Sequence, residues 1–149
     1  MDQDIIGQET LKNRVIIIHH NSEIRDHYRV IINASSRFMV AGTHSSFDTA
    51  IPNLNISQPD IIIMDIDLPE MSGTDGIQKI KRLYPSAEII VITEREDGEF
   101  ILKALGSGAT GYITKSSDYV ELLGALEEVT KGGAPLSSKI AKILVTRVS

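Results

Sequence analysis

Five short apolar runs alternate with longer segments of helical periodicity along this chain. Such alternation is typical of βαβ units, in which crossover helices join parallel strands of one sheet. The runs cover residues 15–18, 38–41, 61–64, 89–92 and 111–113. The first, third and fourth are apolar throughout, as expected of central strands covered on both faces, whereas the second and fifth are weaker and typical of edges. We therefore predict an α/β fold with one parallel sheet and the third strand near its centre.

Apolar side chains at helical spacing predict what lies between the strands. Helices are expected over residues 22–34, 74–83, 98–105 and 117–129, with Asn21 or Ser22 capping the first and Ser117 or Asp118 capping the last. The segment 45–55 is expected to form a kinked or short helix, because Pro52 lacks the amide hydrogen that a helix interior requires.

The two ends of the chain lie outside this repeat. Residues 1–14 are polar and are predicted to be an N-terminal extension. A Gly-Gly-Ala-Pro cluster at 132–135 separates the predicted domain, 15–131, from a linker and amphipathic helix within 132–149. A chain of 149 residues without cysteine fits one domain that buries its own core without disulfides.

Charge and hydropathy exclude several classes of protein. The formal charge is −5 and no long Lys/Arg run occurs, so direct contact of this chain with nucleic acid is not expected. No apolar run approaches the roughly 18–20 residues of a membrane span, and the N-terminal sequence lacks the order of a signal peptide. We expect a cytoplasmic protein with no membrane contact.

Polar side chains follow the apolar runs, where ligands bind in open α/β sheets. Asp65 follows a fully apolar strand, where an unpaired charge is costly, so the carboxylate needs a partner or a chemical role. It would otherwise simply cap the turn before Pro69. Lys115, after the fifth run, could neutralise Asp65 or hold an anion transferred onto it, and Thr93 adds a hydroxyl after the fourth run.

Three separated motifs carry a family resemblance. Residues 59–73 resemble the phospho-acceptor region of receiver domains from two-component response regulators, and residues 90–93 and 108–115 resemble the switch-hydroxyl and lysine segments in the same order. Residues 132–141 resemble the linker of the NarL/LuxR group, whose receivers precede a helix-turn-helix output domain. The resemblance implies a flavodoxin-like, doubly wound (βα)5 sandwich of three layers, with a five-stranded parallel sheet of order 2-1-3-4-5.

The resemblance also implies a role for each matching residue. Asp65 would accept a phosphoryl group from a sensor histidine kinase or a phosphotransfer protein. Thr93 would bind the phosphoryl oxygen, Lys115 would pair with its charge, and Tyr112 would be the aromatic residue whose rotamer reports the switch. Asp67 would offer its backbone carbonyl to Mg2+. The resemblance therefore implies a regulatory protein rather than an enzyme, acting on transcription through a DNA-binding domain outside this chain. A homodimer is kept as an option, although no specific feature of the sequence indicates one.

The first strand departs from this family, and Ser116 stands where the family has a proline. The family's acidic pair falls on His19 and His20, and imidazoles are poor ligands for Mg2+, which prefers oxygen. With neutral histidines the crevice holds one negative charge on Asp65 and one positive charge on Lys115, whereas the family's three acids and one lysine sum to −2. The present site can therefore be balanced without a metal, and weak or no metal binding is expected.

Three readings of the histidine pair stay open. One ring could pack under the first helix while the other forms a hydrogen bond in the empty metal site. Protonated histidines could supply the positive charge of Mg2+. A softer ion such as Zn2+ could bind between the histidines and Asp65. Adjacent side chains at a strand end normally point to opposite faces. We therefore expect that the two rings cannot both reach the same ion.

Two other functions remain as alternatives. A degenerate receiver would act without phosphorylation, by protein–protein contact through helix 98–105, strand 111–113 and helix 117–129. A phosphohydrolase of the haloacid-dehalogenase type would use Asp65 and Asp67 as nucleophile and general acid, although such enzymes carry this motif on their first strand.

Overall fold

A computed structural model of the chain describes residues 12–66, 72–115 and 118–148. Its centre is one parallel sheet in the order β2-β1-β3-β4-β5. The strands are β1 (Asn13–Ile18), β2 (Phe38–His44), β3 (Ile61–Met64), β4 (Glu88–Thr93) and β5 (Gly111–Thr114). The predicted flavodoxin-like topology is confirmed, and β2 and β5 are the edges. Asn13 and Arg14, which we assigned to the N-terminal extension, belong to β1.

The helices lie close to the predicted segments. They are α1 (Ser22–Ala34), α2 (Phe47–Ala50), a 3-10 turn (Ile51–Asn53), α3 (Leu54–Ser57), α4 (Gly73–Leu83), α5 (Gly98–Gly106), α6 (Tyr119–Thr130) and α7 (Ser138–Val148). The side chain of Asn21 caps α1 and that of Asp118 caps α6, each by accepting a backbone N–H. Pro52 lies in the 3-10 turn, so the kinked, short second helix is confirmed. None of the described helices is long and apolar enough to span a bilayer.

The core lies on both faces of the sheet. Alternate residues of β1 point to opposite faces: Ile16 and Ile18 pack with α4 and α5, and Val15 and Ile17 pack with α1 and α6. All four side chains are fully buried. This two-sided burial is the physical reason why the sequences of the central strands are continuous apolar runs. Because all five strands are parallel, their carboxyl ends lie at one rim of the sheet.

The C-terminal helix packs on the sheet. The backbone amide of Tyr112 in β5 donates to the carbonyl of Pro135 (3.0 Å), and Thr114 N donates to Ser137 Oγ (3.0 Å). Ile140 of α7 is fully buried, and Arg147 pairs with Glu99 of α5 at 2.7 Å. The segment thus covers the outer edge of β5, which would otherwise expose unpaired backbone groups. The division of the chain at residue 131 stays a prediction, but the helix that follows it is part of this packed unit.

Candidate functional site

Asp65 lies at the centre of the rim, immediately after β3. It is fully buried, and its backbone amide donates to Ile18 O at the end of β1 (2.9 Å). Three side-chain nitrogens surround Oδ2 of its carboxylate: His20 Nδ1 at 3.0 Å, His19 Nε2 at 3.4 Å and Lys115 Nζ at 3.5 Å. The structure therefore brings the predicted acceptor, the lysine and both histidines together.

Our expectation that the histidines point to opposite faces is wrong. β1 ends at Ile18, so His19 and His20 already belong to the turn into α1, where strand alternation no longer applies. The guanidinium of Arg25 holds this turn by donating to His19 O (2.6 Å). The two rings stack with their centroids 5.1 Å apart, and both reach Asp65.

The local hydrogen bonds assign the tautomer of His19. The backbone amide of Asn21 donates to His19 Nδ1 (3.0 Å), so the neutral ring carries its hydrogen on Nε2. This Nε2 lies 3.4 Å from Asp65 Oδ2, but its N–H is not aligned for a hydrogen bond and has no hydrogen-bond partner among the described residues, although it is buried. Leaving a buried donor unpaired costs about 1–3 kcal/mol. His20 is half exposed, and its Nδ1 donates to the carboxylate, which can only accept.

Burial keeps the His19 imidazole neutral, and we expect a pH dependence of stability from it. Desolvation lowers the pKa of His19 from 6.5 to about 4, although Asp65 opposes the shift. Between pH 6.5 and about pH 4, His19 therefore binds a proton in the unfolded chain but not in the folded one. The contribution of neutral His19 to the free energy of unfolding is complete above pH 6.5 and is lost progressively as the pH falls toward 4. The loss should be about 3 kcal/mol, measurable by urea unfolding at neutral pH and at the acidic end of this range.

His19→Asn is the variant that tests this pH dependence, because its amide oxygen can replace Nδ1 as acceptor for Asn21. We expect a smaller loss of stability on acidification in this variant than in the wild type. Part of the loss should remain, since burial also lowers the pKa of His44. Equal losses in the two proteins would show that His19 is not the group responsible.

Thr93 and Tyr112 both form hydrogen bonds with the backbone of Arg95, a residue that the sequence analysis did not select. Thr93 Oγ1, buried at the end of β4, accepts a hydrogen bond from Arg95 N (3.1 Å). The hydroxyl of buried Tyr112 donates to Arg95 O (2.9 Å). The guanidinium of Arg95 lies 3.5 Å from the ring centroid of Phe100 at the start of α5. Only its position two residues after Thr93 could have indicated Arg95. Asp67 and Ser116 lie outside the described residues.

This fold and rim match a known family. The sequence matches the family described as "Response regulator receiver domain" over residues 15–127. The chain is a receiver domain of the response regulator family. Receivers generally bind Mg2+ through acidic residues.

Curated relatives of this receiver are named as regulators of transcription. It is 28% identical over 137 residues to the transcriptional regulatory protein MctR of Rhizobium johnstonii, covering 92% of this chain and 64% of that protein. It is 26% identical over 134 residues to DegU of Brevibacillus brevis, covering 90% of this chain and 57% of that protein. The receiver thus spans less than two thirds of the length of these relatives.

Solved structures agree with this assignment. A LuxR-family response regulator from Aurantimonas sp. SI85-9A1 superposes with a TM-score of 0.86 and 30% identity, covering 93% of this chain and 99% of that one. The isolated receiver of RcsB from Salmonella enterica serovar Typhimurium, solved with a phosphomimetic, gives a TM-score of 0.83 at 24% identity, covering 89% and 99%. The second likeness concerns the fold alone.

The pocket of this receiver does not fit Mg2+. His19, His20 and Asp65 place one potential ligand atom each within 4.8 Å of one another, but only one of the three is a carboxylate. Mg2+ requires near-octahedral oxygen ligands. The tautomer of His19 also places a hydrogen, rather than a lone pair, on the nitrogen that faces Asp65, which disfavours a softer ion as well. The described side chains around Asp65, those of His19, His20 and Lys115, are hydrogen-bond donors suited to an anion.

Proposed function

We propose that this receiver accepts a phosphoryl group on Asp65 and thereby controls a longer regulator of transcription. The observation that supports this function is the convergence of His19, His20 and Lys115 on the buried carboxylate. The names of the curated relatives support the regulation of transcription. A sensor histidine kinase or a phosphotransfer protein would supply the phosphoryl group. The homodimer and the cytoplasmic location stay predictions.

The chemical step is a displacement at phosphorus. A carboxylate oxygen of Asp65 attacks the phosphorus of a phosphohistidine, the new P–O bond forms, and the P–N bond breaks with its electron pair leaving on the donor's imidazole. The acyl phosphate carries about two negative charges where the carboxylate carried one. The ammonium of Lys115, 3.5 Å from Oδ2, can offset one of them, as phosphoryl transfer requires.

A series of hydrogen bonds links Thr93 to the segment that precedes α7. Movement of the Thr93 hydroxyl toward a phosphoryl oxygen would release its bond from Arg95 N, and the carbonyl of Arg95 holds Tyr112. Tyr112 in turn pairs through its backbone with Pro135 and Ser137, which precede α7. We infer that the switch reaches α7 through β5, toward the point where the resemblance places an output domain.

The test is incubation with acetyl phosphate followed by intact-mass measurement. We expect one phosphoryl adduct on the wild type and none on Asp65→Ala. Asp75→Ala is a matched control, because Asp75 is exposed in the first turn of α4 and should leave the adduct in place. An adduct of equal yield on Asp65→Ala would overturn the assignment of the acceptor.

A phosphorylation-independent receiver is the second candidate, and the lack of a carboxylate at positions 19 and 20 favours it. Such a module would act by protein–protein contact through α5, β5 and α6, although α7 already covers part of α5 and β5. No adduct on the wild type would establish this candidate over the first. We do not propose a haloacid-dehalogenase-type phosphohydrolase, because Asp65 follows the third strand and the family is that of receivers.

A further inference from the structure

We propose that His19 and His20 replace Mg2+ as catalytic residues, so that Asp65 accepts its phosphoryl group without a divalent cation. The inference rests on the proposed function and concerns how the same pocket works. It follows from two independent observations, the charge of the pocket and the position of its hydrogen-bond donors beside Asp65.

The charge of the pocket is the same as that of a magnesium-loaded receiver. Two neutral imidazoles in place of two carboxylates remove two negative charges, and a reaction without Mg2+ removes two positive charges. Counted over the described residues, with Asp65 and Lys115 unchanged, the resting pocket is neutral in both cases. Phosphorylation adds one negative charge to either pocket. The net charge of this pocket therefore equals that of a magnesium-loaded receiver both before and after phosphoryl transfer. A pocket that lost the two acids but kept the ion would carry two more positive charges.

The donors lie beside the carboxylate on which a phosphoryl group would add negative charge. The bond from Asn21 N to Nδ1 leaves the hydrogen of neutral His19 on Nε2, which lies 3.4 Å from Asp65 Oδ2 without the alignment of a hydrogen bond. This donor is buried and has no hydrogen-bond partner among the described residues. A phosphoryl group on Asp65 would bring three strong acceptor oxygens into the same pocket. His19 is thus a pre-positioned donor that the resting site leaves unused.

His20 supplies a second donor from the solvent side. Its Nδ1–H bonds to Asp65 Oδ2 at 3.0 Å, while 48% of its side chain is exposed. The ring therefore stands at the mouth of the pocket, where a phosphodonor would approach. Donors that are fixed before the reaction stabilise charge as it develops, without reorganisation during the step.

The experiment compares adduct formation in a chelator with that in Mg2+. The full chain is incubated with acetyl phosphate, whose P–O bond to acetate breaks with the electron pair leaving on acetate, and the adduct is followed by intact mass. We expect the same rate on the wild type with EDTA, with Mg2+ and with Zn2+. An adduct that forms only with Mg2+ or only with Zn2+ overturns the inference but leaves the proposed function standing. No adduct under any condition overturns both.

Two variants test the histidines directly. We expect His20→Ala to slow adduct formation in EDTA by about 100-fold, the lower end of what loss of one fixed donor costs. His27→Ala is the control, since His27 is exposed on α1. The double variant His19→Asp with His20→Asp restores an acidic pair and should form the adduct only with Mg2+. An unchanged rate in His20→Ala, with folding checked by circular dichroism, would overturn the role of His20.

Discussion

We expect Lys115→Met to slow formation of the phosphoryl adduct on Asp65 by about 100-fold or more. The ammonium of Lys115 lies 3.5 Å from Asp65 Oδ2, and its side chain is only 21% exposed. Because solvent screens this charge only weakly, its Coulomb attraction for the carboxylate is stronger than that of an exposed lysine would be. Its removal leaves the developing negative charge of the phosphoryl group to the neutral N–H donors of the histidines. The measurement is the rate of labelling by acetyl phosphate.

The matched control for this variant is Lys142→Met, since Lys142 is exposed on α7. It should label at the wild-type rate. Thermal unfolding of both variants checks that a slow rate does not reflect a lost fold. A wild-type rate in folded Lys115→Met would show that the lysine neutralises the resting carboxylate only and takes no part in the transfer.

We expect Ile140→Ala to lower the free energy of unfolding by about 2–5 kcal/mol, as for other large-to-small changes in a core. Ile140 is fully buried in the core cluster that also contains Tyr112 of β5 and Ile101 of α5. A cavity at this position loosens the contact of α7 with the sheet edge. Urea unfolding of the full chain measures the effect.

Val145→Ala is the matched control on the same helix, because Val145 is 63% exposed. It should change the free energy of unfolding by no more than about 0.5 kcal/mol. Hydrogen exchange at the amides of Tyr112 and Thr114, which the segment before α7 covers, should quicken in Ile140→Ala. Similar stabilities of the two variants would mean that α7 adds little to the packed unit.

The fold could be predicted well from the sequence, because burial of a strand or helix leaves a simple periodic pattern of apolar residues. Central strands covered on both faces must be apolar at each position, and runs 15–18, 61–64 and 89–92 show this directly. The caps of α1 and α6 were predictable for the same local reason, since a side-chain oxygen satisfies a free amide at the helix start. The packing of α7 was not predictable, because the apolar pattern of an amphipathic helix shows which face is buried but not which surface that face packs against.

The candidate site was predictable as a set of residues but not as a geometry. The rule that strand ends share one rim placed Asp65 and Lys115 together, and both lie there. The same kind of rule failed for His19 and His20, because alternation holds within a strand and these residues lie in the turn beyond it. Arg95 was missed because its backbone, rather than its side chain, joins Thr93 to Tyr112.

The sequence by itself determined the alternation of strands and helices, the residues at the rim and the absence of the acidic pair. These properties depend only on the types of the residues and on their spacing along the chain. Only the tertiary structure decided that both histidines face Asp65, that Asn21 fixes the tautomer of His19, and that α7 covers β5. Each of these depends on the direction of a side chain or the partner of a surface, which is set by atoms distant in the sequence or by the path of one turn.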